Sequence, residues 1–170
     1  MAVTKFEITS RTTIGNEAVF GGIGKYEFLK GILHYAVDPK HPDSQLIADI
    51  DMVPIGSDGK VHFASDIQIL KPIDPTPGGS LLVDVVNRGN RTALVFNSPP
   101  PVPADQDPAL GNGFLMHRGF TIVFCGWQTD VPDGRIRLHV GEAIDQDGHR
   151  LTGQAYQQFD LHKASNELLL

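Results

Sequence analysis

The sequence predicts an α+β, mostly β fold in which antiparallel strands lead into a parallel βαβ unit. Helical periodicity is scarce, and 18 glycines and 12 prolines divide the 170 residues into short segments. Alternation of apolar and polar residues recurs through the first half of the chain, as in half-buried strands. Two nearly continuous apolar runs follow, at 81–86 and 120–125, and such runs are typical of parallel strands covered on both faces.

The first two strands are predicted from alternation. Residues 5–13 place Phe6 and Ile8 on one face and polar side chains on the other. Residues 21–39 continue with a second alternating series. A glycine inside a strand usually marks a bulge or a close approach of another backbone, so we expect a bend at Gly31.

The next two segments predict an antiparallel hairpin. Residues 45–55 alternate with aspartates on the polar face, and 60–72 return with a second apolar series. Between them, 56–59 has the composition of a short turn. The apolar face of the first segment consists of Leu46, Ala48, Ile50 and Met52.

The parallel unit is predicted downstream. A strand at 81–87 is followed by a proline-rich loop at 98–112 and by two turns of helix that end at Gly119. A second apolar strand occupies 121–127. Because a strand, a helix and a strand in this order form a crossover, we expect 81–87 to run parallel to 121–127, with a right-handed connection.

The remaining segments complete one β-rich domain over residues 1–170. Residues 135–140 alternate cleanly, and 150–162 resemble a further strand. The sequence shows no internal repeat. A helix-start signal stands at 165–166, and the last three residues are leucines.

The polar residues after the two parallel strands are the candidate ligand-binding site. Ligands of open α/β sheets bind beyond the carboxyl ends of parallel strands. A glycine there lets the backbone approach a ligand and present N–H donors, and an arginine can bind a carboxylate. The alternative is that both are ordinary polar strand ends, with Trp127 covering the core. The candidate residues are Asn87, Arg88, Gly89, Asn90, Gly126 and Trp127.

Four segments carry a resemblance to a known family, and the two upstream ones are GKYEFLKGILHYAVDP at 24–39 and DGKVHFASDIQILKP at 58–72. The stretches LLVDVVNRGNR at 81–91 and GNGFLMHRGFTIVFCGWQTDVPDGRIRLHV at 111–140 resemble the N-terminal part of large bacterial α/β-hydrolase domain proteins. The resemblance covers roughly residues 20–155. It implies that the complete form hydrolyses a carboxylic ester or a related acyl bond. It also implies that the loop at 85–89 contributes to the oxyanion hole.

The chain departs from that family in its catalytic residues. A hydrolase of this type needs a G-x-S-x-G nucleophile elbow followed by an acid and a histidine. No such motif occurs here, and the nearest match, Gly78–Leu82, lacks the final glycine and precedes a strand. We therefore assign no catalytic residue, leave open whether the chain is an enzyme, and expect no esterase turnover from it alone. The alternatives are a stand-alone β-rich module that binds a small ligand, or a non-functional fragment.

Composition limits the classes of partner and the cellular compartment that we expect for this chain. The net charge is −6 and no basic cluster occurs, which argues against nucleic acid as a partner. No signal peptide and no run of 18 apolar residues is present, so we expect a cytoplasmic protein without a membrane partner. A small-molecule ester or a polar ligand is the expected partner, and no cofactor is expected. We expect the apolar C-terminal residues to be buried, either by a C-terminal continuation or by a second copy of the chain.

The other candidate sites favour structural interpretations. No histidine pair has metal-ligand spacing, and His139 with Glu142 fits solvated strand positions better than a metal site, so no metal is expected. Residues 145–148 are similar to the start of a calcium loop, but a type I turn is favoured. Residues 100–103 favour a rigid surface loop over a polyproline docking segment. Cys125, the single cysteine, excludes an intrachain disulfide and is expected to be an inert buried thiol.

Overall fold

The structure is a computed structural model that describes residues 2–15, 20–74, 79–154 and 156. These residues form one mixed sheet in a mostly β fold, as predicted. Its strands follow the order β1-β2-β3-β5-β4, and β6 pairs with β3 outside this path. The strands are β1 Ala2–Ile14, β2 Tyr26–Val37, β3 Val61–Pro72, β4 Leu81–Val85, β5 Thr121–Cys125 and β6 Leu138–His139.

The first three strands form an antiparallel meander. β1 pairs with β2, and β2 pairs with β3 along its whole length. The expected irregularity near Gly31 is present, and it lies on the partner strand, where the register shifts between Ile8 and Ser10. A Cβ at Gly31 would lie 2.4 Å from the carbonyl oxygen of Glu7, so only glycine fits this close approach.

The predicted hairpin between 45–55 and 60–72 is wrong. The first segment forms two short 3-10 helices, Ser44–Leu46 and Ile50–Met52, and Asp49 between them has a left-handed φ of 56°. The second segment is β3, which pairs with β2 on one side and with β5 and β6 on the other. Because both edges of β3 are occupied, no edge is left for a strand at 45–55.

The parallel pair is present as predicted. β4 runs parallel to β5, with Leu81 opposite Thr121 and Val85 opposite Cys125. β5 is antiparallel to β3, so the sheet changes from antiparallel to parallel pairing at this strand. The parallel pair therefore forms one end of the sheet, with β4 outermost.

The connection between the parallel strands is irregular. It contains two 3-10 helices, Thr92–Asn97 and Met116–Arg118, where a two-turn helix was expected. The second ends at Gly119 with a left-handed φ of 72°, which is the predicted glycine stop. Within the described part of the chain, no α-helix is present.

The main core lies between one face of the sheet and this connection. Side chains of the strands pack against side chains of the connecting segment, and burial of a large apolar side chain is worth about 1.5–3 kcal/mol. The connection therefore covers one face of the parallel pair. The core residues include Tyr26, Phe28, Leu70, Ile122, Phe124, Leu94, Leu115 and Met116.

The expectation that the first parallel strand is buried on both faces is wrong for the described residues. Leu81, Val83 and Val85 are 53 to 64% exposed, whereas Asp84 and Val86 are buried. β4 lies at the end of the sheet order, and the connecting segment covers the face that carries Asp84. The opposite face of β4 is an exposed apolar surface.

The C-terminal part of the described chain contributes little regular structure. The strand expected at 135–140 is reduced to β6, which pairs with Ala64 and Ser65 of β3. The strand expected at 150–162 is wrong for 151–154 and 156, which are irregular, and the rest of that segment and the helix start at 165–166 lie outside the described residues. None of the helices in the described ranges has the length and apolar character that crossing a membrane requires.

Candidate functional site

The ends of the two parallel strands meet at one edge of the sheet. The backbone N–H of Arg88, after β4, donates to Oε1 of Gln128, after β5, at 2.8 Å. The Arg88 guanidinium lies 2.8 Å from the Asp130 carboxylate, and Nε1 of Trp127 donates to the Val86 carbonyl at 2.5 Å. We call residues 86–91 and 126–130 the rim. The six predicted site residues all belong to it.

The first rim segment is a tight turn. The backbone N–H and the side-chain amide of Asn90 both donate to the carbonyl of Asn87 at 3.0 Å. Arg88 and Gly89 between them have φ values of 50° and 73°, and two successive positive values correspond to a type I′ turn. The left-handed conformation costs a residue other than glycine about 1 kcal/mol or more, so contacts of Arg88 with the second rim segment must hold it.

The two rim glycines allow close packing of residues 135–137. A Cβ at Gly89 would lie 2.5 Å from the Cβ of Arg135, and one at Gly126 would lie 2.3 Å from the carbonyl oxygen of Arg137. The N–H of Ile136 donates to the Gly89 carbonyl at 3.3 Å. The space next to both glycines is therefore filled by the chain itself. Nothing in the sequence placed 135–137 at the rim.

Arg91 fixes a loop to the sheet. Its guanidinium donates to Oε1 of Gln68 at 2.8 Å and to the carbonyl oxygens of Ala104 and Gln106. It also lies 5.3 Å from the centre of the Phe28 ring. Burial lowers the pKa of Arg91 to about 10, so the guanidinium is charged at neutral pH. Its donors are engaged with protein acceptors, which gives Arg91 a structural role.

Asp84 connects the parallel strand to the helix that follows the rim. Its buried carboxylate accepts a hydrogen bond from Oγ1 of Thr92 at 2.7 Å and another from the N–H of Ala93 at 2.6 Å. Hydrogen bonds to a charged group are worth about 1.5–3 kcal/mol each. This contact was not predicted, and the one aspartate that interrupts the apolar run at 81–86 is the sequence feature that could have indicated it.

A cleft of about 790 Å³ opens next to the rim. One wall is the proline run 99–103, which forms the surface loop that the sequence favoured. Asn90 is the one predicted site residue that lines the cleft, and Val95, Ser98 and Arg135 line it as well. The carboxyl end of β4 therefore opens into a cleft with mainly apolar walls and two arginines, Arg91 and Arg135, as ligand sites of α/β sheets often do.

Most of the residues considered for metal binding contact other protein groups, but possible ligand atoms of Asp145, Asp147 and His149 lie within 4.8 Å of one another. Nε2 of His139 lies 2.8 Å from a carboxylate oxygen of Asp66, and Glu142 pairs with Arg150 at 3.2 Å. The two candidate ligands therefore do not converge on one point. At 145–149 a carboxylate oxygen of Asp145 accepts two backbone N–H groups, so this segment is a turn, as favoured from sequence.

Cys125 has the properties of an unreactive thiol. Its side chain is half-buried in β5, and burial, followed by the nearby charge of Asp84, raises the pKa of the thiol. A raised pKa lowers the fraction of the thiolate, which is the nucleophilic form.

Comparison with known proteins gave no match. No family model matches this chain, and no curated protein or solved structure matches it at a significant level. The assignment of function therefore depends on the sequence pattern and on the geometry of the rim and the cleft.

Proposed function

We propose that this chain forms the N-terminal part of an α/β-hydrolase domain whose complete form hydrolyses a carboxylic ester or a related acyl bond. The chain supplies sheet and oxyanion-loop residues but no nucleophile. The observation that carries the proposal is the parallel pairing of β4 with β5 after an antiparallel start, with a glycine-containing turn directly after β4.

One backbone N–H of the turn after β4 has no acceptor among the described residues. The N–H of Arg88 donates to Gln128, and the N–H of Asn90 donates to Asn87. Among the residues with described positions, the N–H of Gly89 has no acceptor. Gly89 is buried, and 135–137 fill the space next to it. In this proposal its N–H becomes one of the two oxyanion donors when that segment is displaced in the complete domain, and the residue after the missing nucleophile supplies the second.

The exposed face of β4 also supports the proposal. Parallel strands are normally covered on both faces, yet Leu81, Val83 and Val85 are exposed and β4 has one neighbour. A complete α/β-hydrolase domain would place further elements against this surface.

Two measurements test the proposal. The purified 170-residue chain should not hydrolyse p-nitrophenyl esters above background. Sequencing the gene downstream of the Leu170 codon should reveal an in-frame G-x-S-x-G, and the longer product should show ester hydrolysis that a fluorophosphonate abolishes. Inhibitor-sensitive turnover by the short chain, or a downstream sequence without the motif, would contradict the proposal.

The cleft favours a second candidate function, a stand-alone module that binds a small ligand. All of the residues that line it belong to the described chain, so binding there needs no additional segment. Saturable binding of a small molecule by the short chain, together with a downstream sequence that lacks the nucleophile motif, would favour this candidate over the hydrolase.

A further inference from the structure

Arg135 differs from the other arginines in its contacts. Arg11, Arg88, Arg137 and Arg150 form ion pairs, Arg91 donates to carbonyl oxygens, and Arg118 lies 4.1 Å from the centre of the Phe114 ring. For the Arg135 guanidinium, the described part of the chain offers no hydrogen-bond acceptor, carboxylate or ring. Arg135 is a partly buried residue, and a guanidinium with unused donors favours an external anion.

The position of Arg135 at the cleft is fixed by its backbone. Its Cβ packs into the space next to Gly89, and its N–H donates to the Pro132 carbonyl at 3.3 Å. The next residue, Ile136, donates to the Gly89 carbonyl. The base of the side chain is therefore held against the rim, and the residue lines the cleft.

The rest of the cleft lining is mainly apolar. The proline run 99–103 contributes four prolines and Val102, and Leu94, Val95 and Ala109 add further apolar surface. Proline fixes one backbone dihedral angle, so this wall loses little conformational freedom when a ligand binds. The volume of about 790 Å³ lies within the range of about 300–1,000 Å³ that is typical of small-molecule sites.

The two carboxylates near the cleft, Asp105 and Asp107, interact with Lys30 and Arg91. Asp107 lies 3.9 Å from Nζ of Lys30, and both Asp105 and Asp107 act electrostatically on Arg91. Neither lies within ion-pair distance of Arg135. The cleft therefore combines mainly apolar walls with two arginines, of which Arg91 is bonded to protein oxygens and Arg135 has no described acceptor.

We propose that this cleft binds a small monocarboxylate with an apolar body, whose carboxylate pairs with Arg135 and whose body contacts the proline run. The unused guanidinium donors of Arg135 match a carboxylate, and the apolar walls match an alkyl or aryl group. The proposal does not depend on the hydrolase assignment, because the lining residues are all within this chain.

A titration with octanoate tests the proposal, and octan-1-ol is the uncharged control ligand. Binding to the full 170-residue chain is followed by amide chemical shifts in NMR spectra. Octanoate should shift the signals of Val95 and Val102. Arg135→Gln should weaken octanoate binding about fivefold, as expected for a partly exposed ion pair, without changing the affinity for octan-1-ol. Arg150→Gln, which removes an arginine outside the cleft, should change neither affinity.

A second variant guards against a folding defect in Arg135→Gln. Val95→Asp adds a negative charge to an exposed position of the cleft wall, and repulsion should weaken octanoate binding more than octan-1-ol binding. Absence of octanoate binding would overturn the proposal. Shift changes confined to residues outside the cleft, or equal affinities of the wild type and both cleft variants, would also overturn it.

Discussion

The backbone N–H of Arg88 and the side-chain oxygen of Gln128 lie 2.8 Å apart, and this hydrogen bond joins the ends of two parallel strands. Arg88 has a left-handed φ of 50°, a conformation that is unfavourable for arginine. Its side chain bonds to Asp130 in the same segment as Gln128. Contacts from the neighbouring strand end therefore hold the turn in its strained conformation.

Removal of the Gln128 side chain should destabilise the rim. Gln128→Ala takes away the acceptor of the Arg88 N–H, and we expect a loss of about 1 kcal/mol in the free energy of unfolding, measured by urea denaturation. Gln106→Ala is the control, because its exposed side chain is removed while the carbonyl that binds Arg91 is kept. Equal stability of the two variants would argue against a role of Gln128 in holding the turn.

Asp84 should contribute strongly to stability. Asp84→Ala leaves the hydroxyl of Thr92 and the N–H of Ala93 without their acceptor, and we expect a loss of about 2–4 kcal/mol. Asp133→Ala removes a fully exposed carboxylate and should change stability by less than about 0.5 kcal/mol. Chemical denaturation of both variants compares them, and an unchanged midpoint for Asp84→Ala would contradict the expectation.

Gly126 should not tolerate a side chain. A Cβ at this position would lie 2.3 Å from the carbonyl oxygen of Arg137, so Gly126→Ala must displace the 135–137 segment, at a cost of about 1–3 kcal/mol. Gly22 has no atom within 4 Å of its Cβ position, and Gly22→Ala should be nearly neutral. Thermal denaturation measures the difference. A Gly126→Ala protein that melts with the wild type would show that the close approach is not required.

Tyr26 should make the protein less stable in alkali. Its buried hydroxyl donates to the carbonyl oxygen of Phe120 at 2.9 Å, with the carbonyl oxygen of Met116 also within 3.2 Å, and burial raises its pKa from 10 to about 12. Between pH 10 and about pH 12 the Tyr26 hydroxyl keeps its proton in the native state, whereas in the unfolded chain it has lost the proton. The free energy of unfolding therefore falls as pH rises through this range, and the contribution is fully present below pH 10.

Urea denaturation at pH 9 and at pH 11 measures this dependence. Tyr26→Phe should lower the stability at pH 9 by about 1 kcal/mol and should reduce the decline between the two pH values. Tyr156→Phe, at a residue that is 92% exposed, should keep the decline of the wild type. If Tyr26→Phe retains the full decline, other groups cause the alkaline sensitivity.

The parallel pair could be predicted because its signal is local. The apolar runs that contain Val83 and Val123 identify the strands, and the length of the connection between them requires a crossover. The same argument places the polar ends at one edge, so the position of the rim followed from the sequence. The glycine stop at Gly119 was predicted for a similarly local reason.

The wrong predictions concern strand pairing and the burial of strand faces, both of which depend on residues that are distant in the sequence. The alternation at 45–55 is typical of a strand, but a strand needs a free edge, and both edges of β3 are taken by other strands. The apolar run of β4 gave no indication of which face would be covered. Likewise, no local pattern indicated that Arg135 would line a cleft with the proline run.

The relative direction of β4 and β5 is the central claim, and NMR measures it most directly. Interstrand nuclear Overhauser effects should connect Leu81 with Thr121, Val83 with Val123 and Val85 with Cys125, so that the partners ascend together along both strands. Effects that connect Leu81 with Cys125 and Val85 with Thr121 would show antiparallel strands. That result would contradict the shared rim and the hydrolase proposal that depends on it.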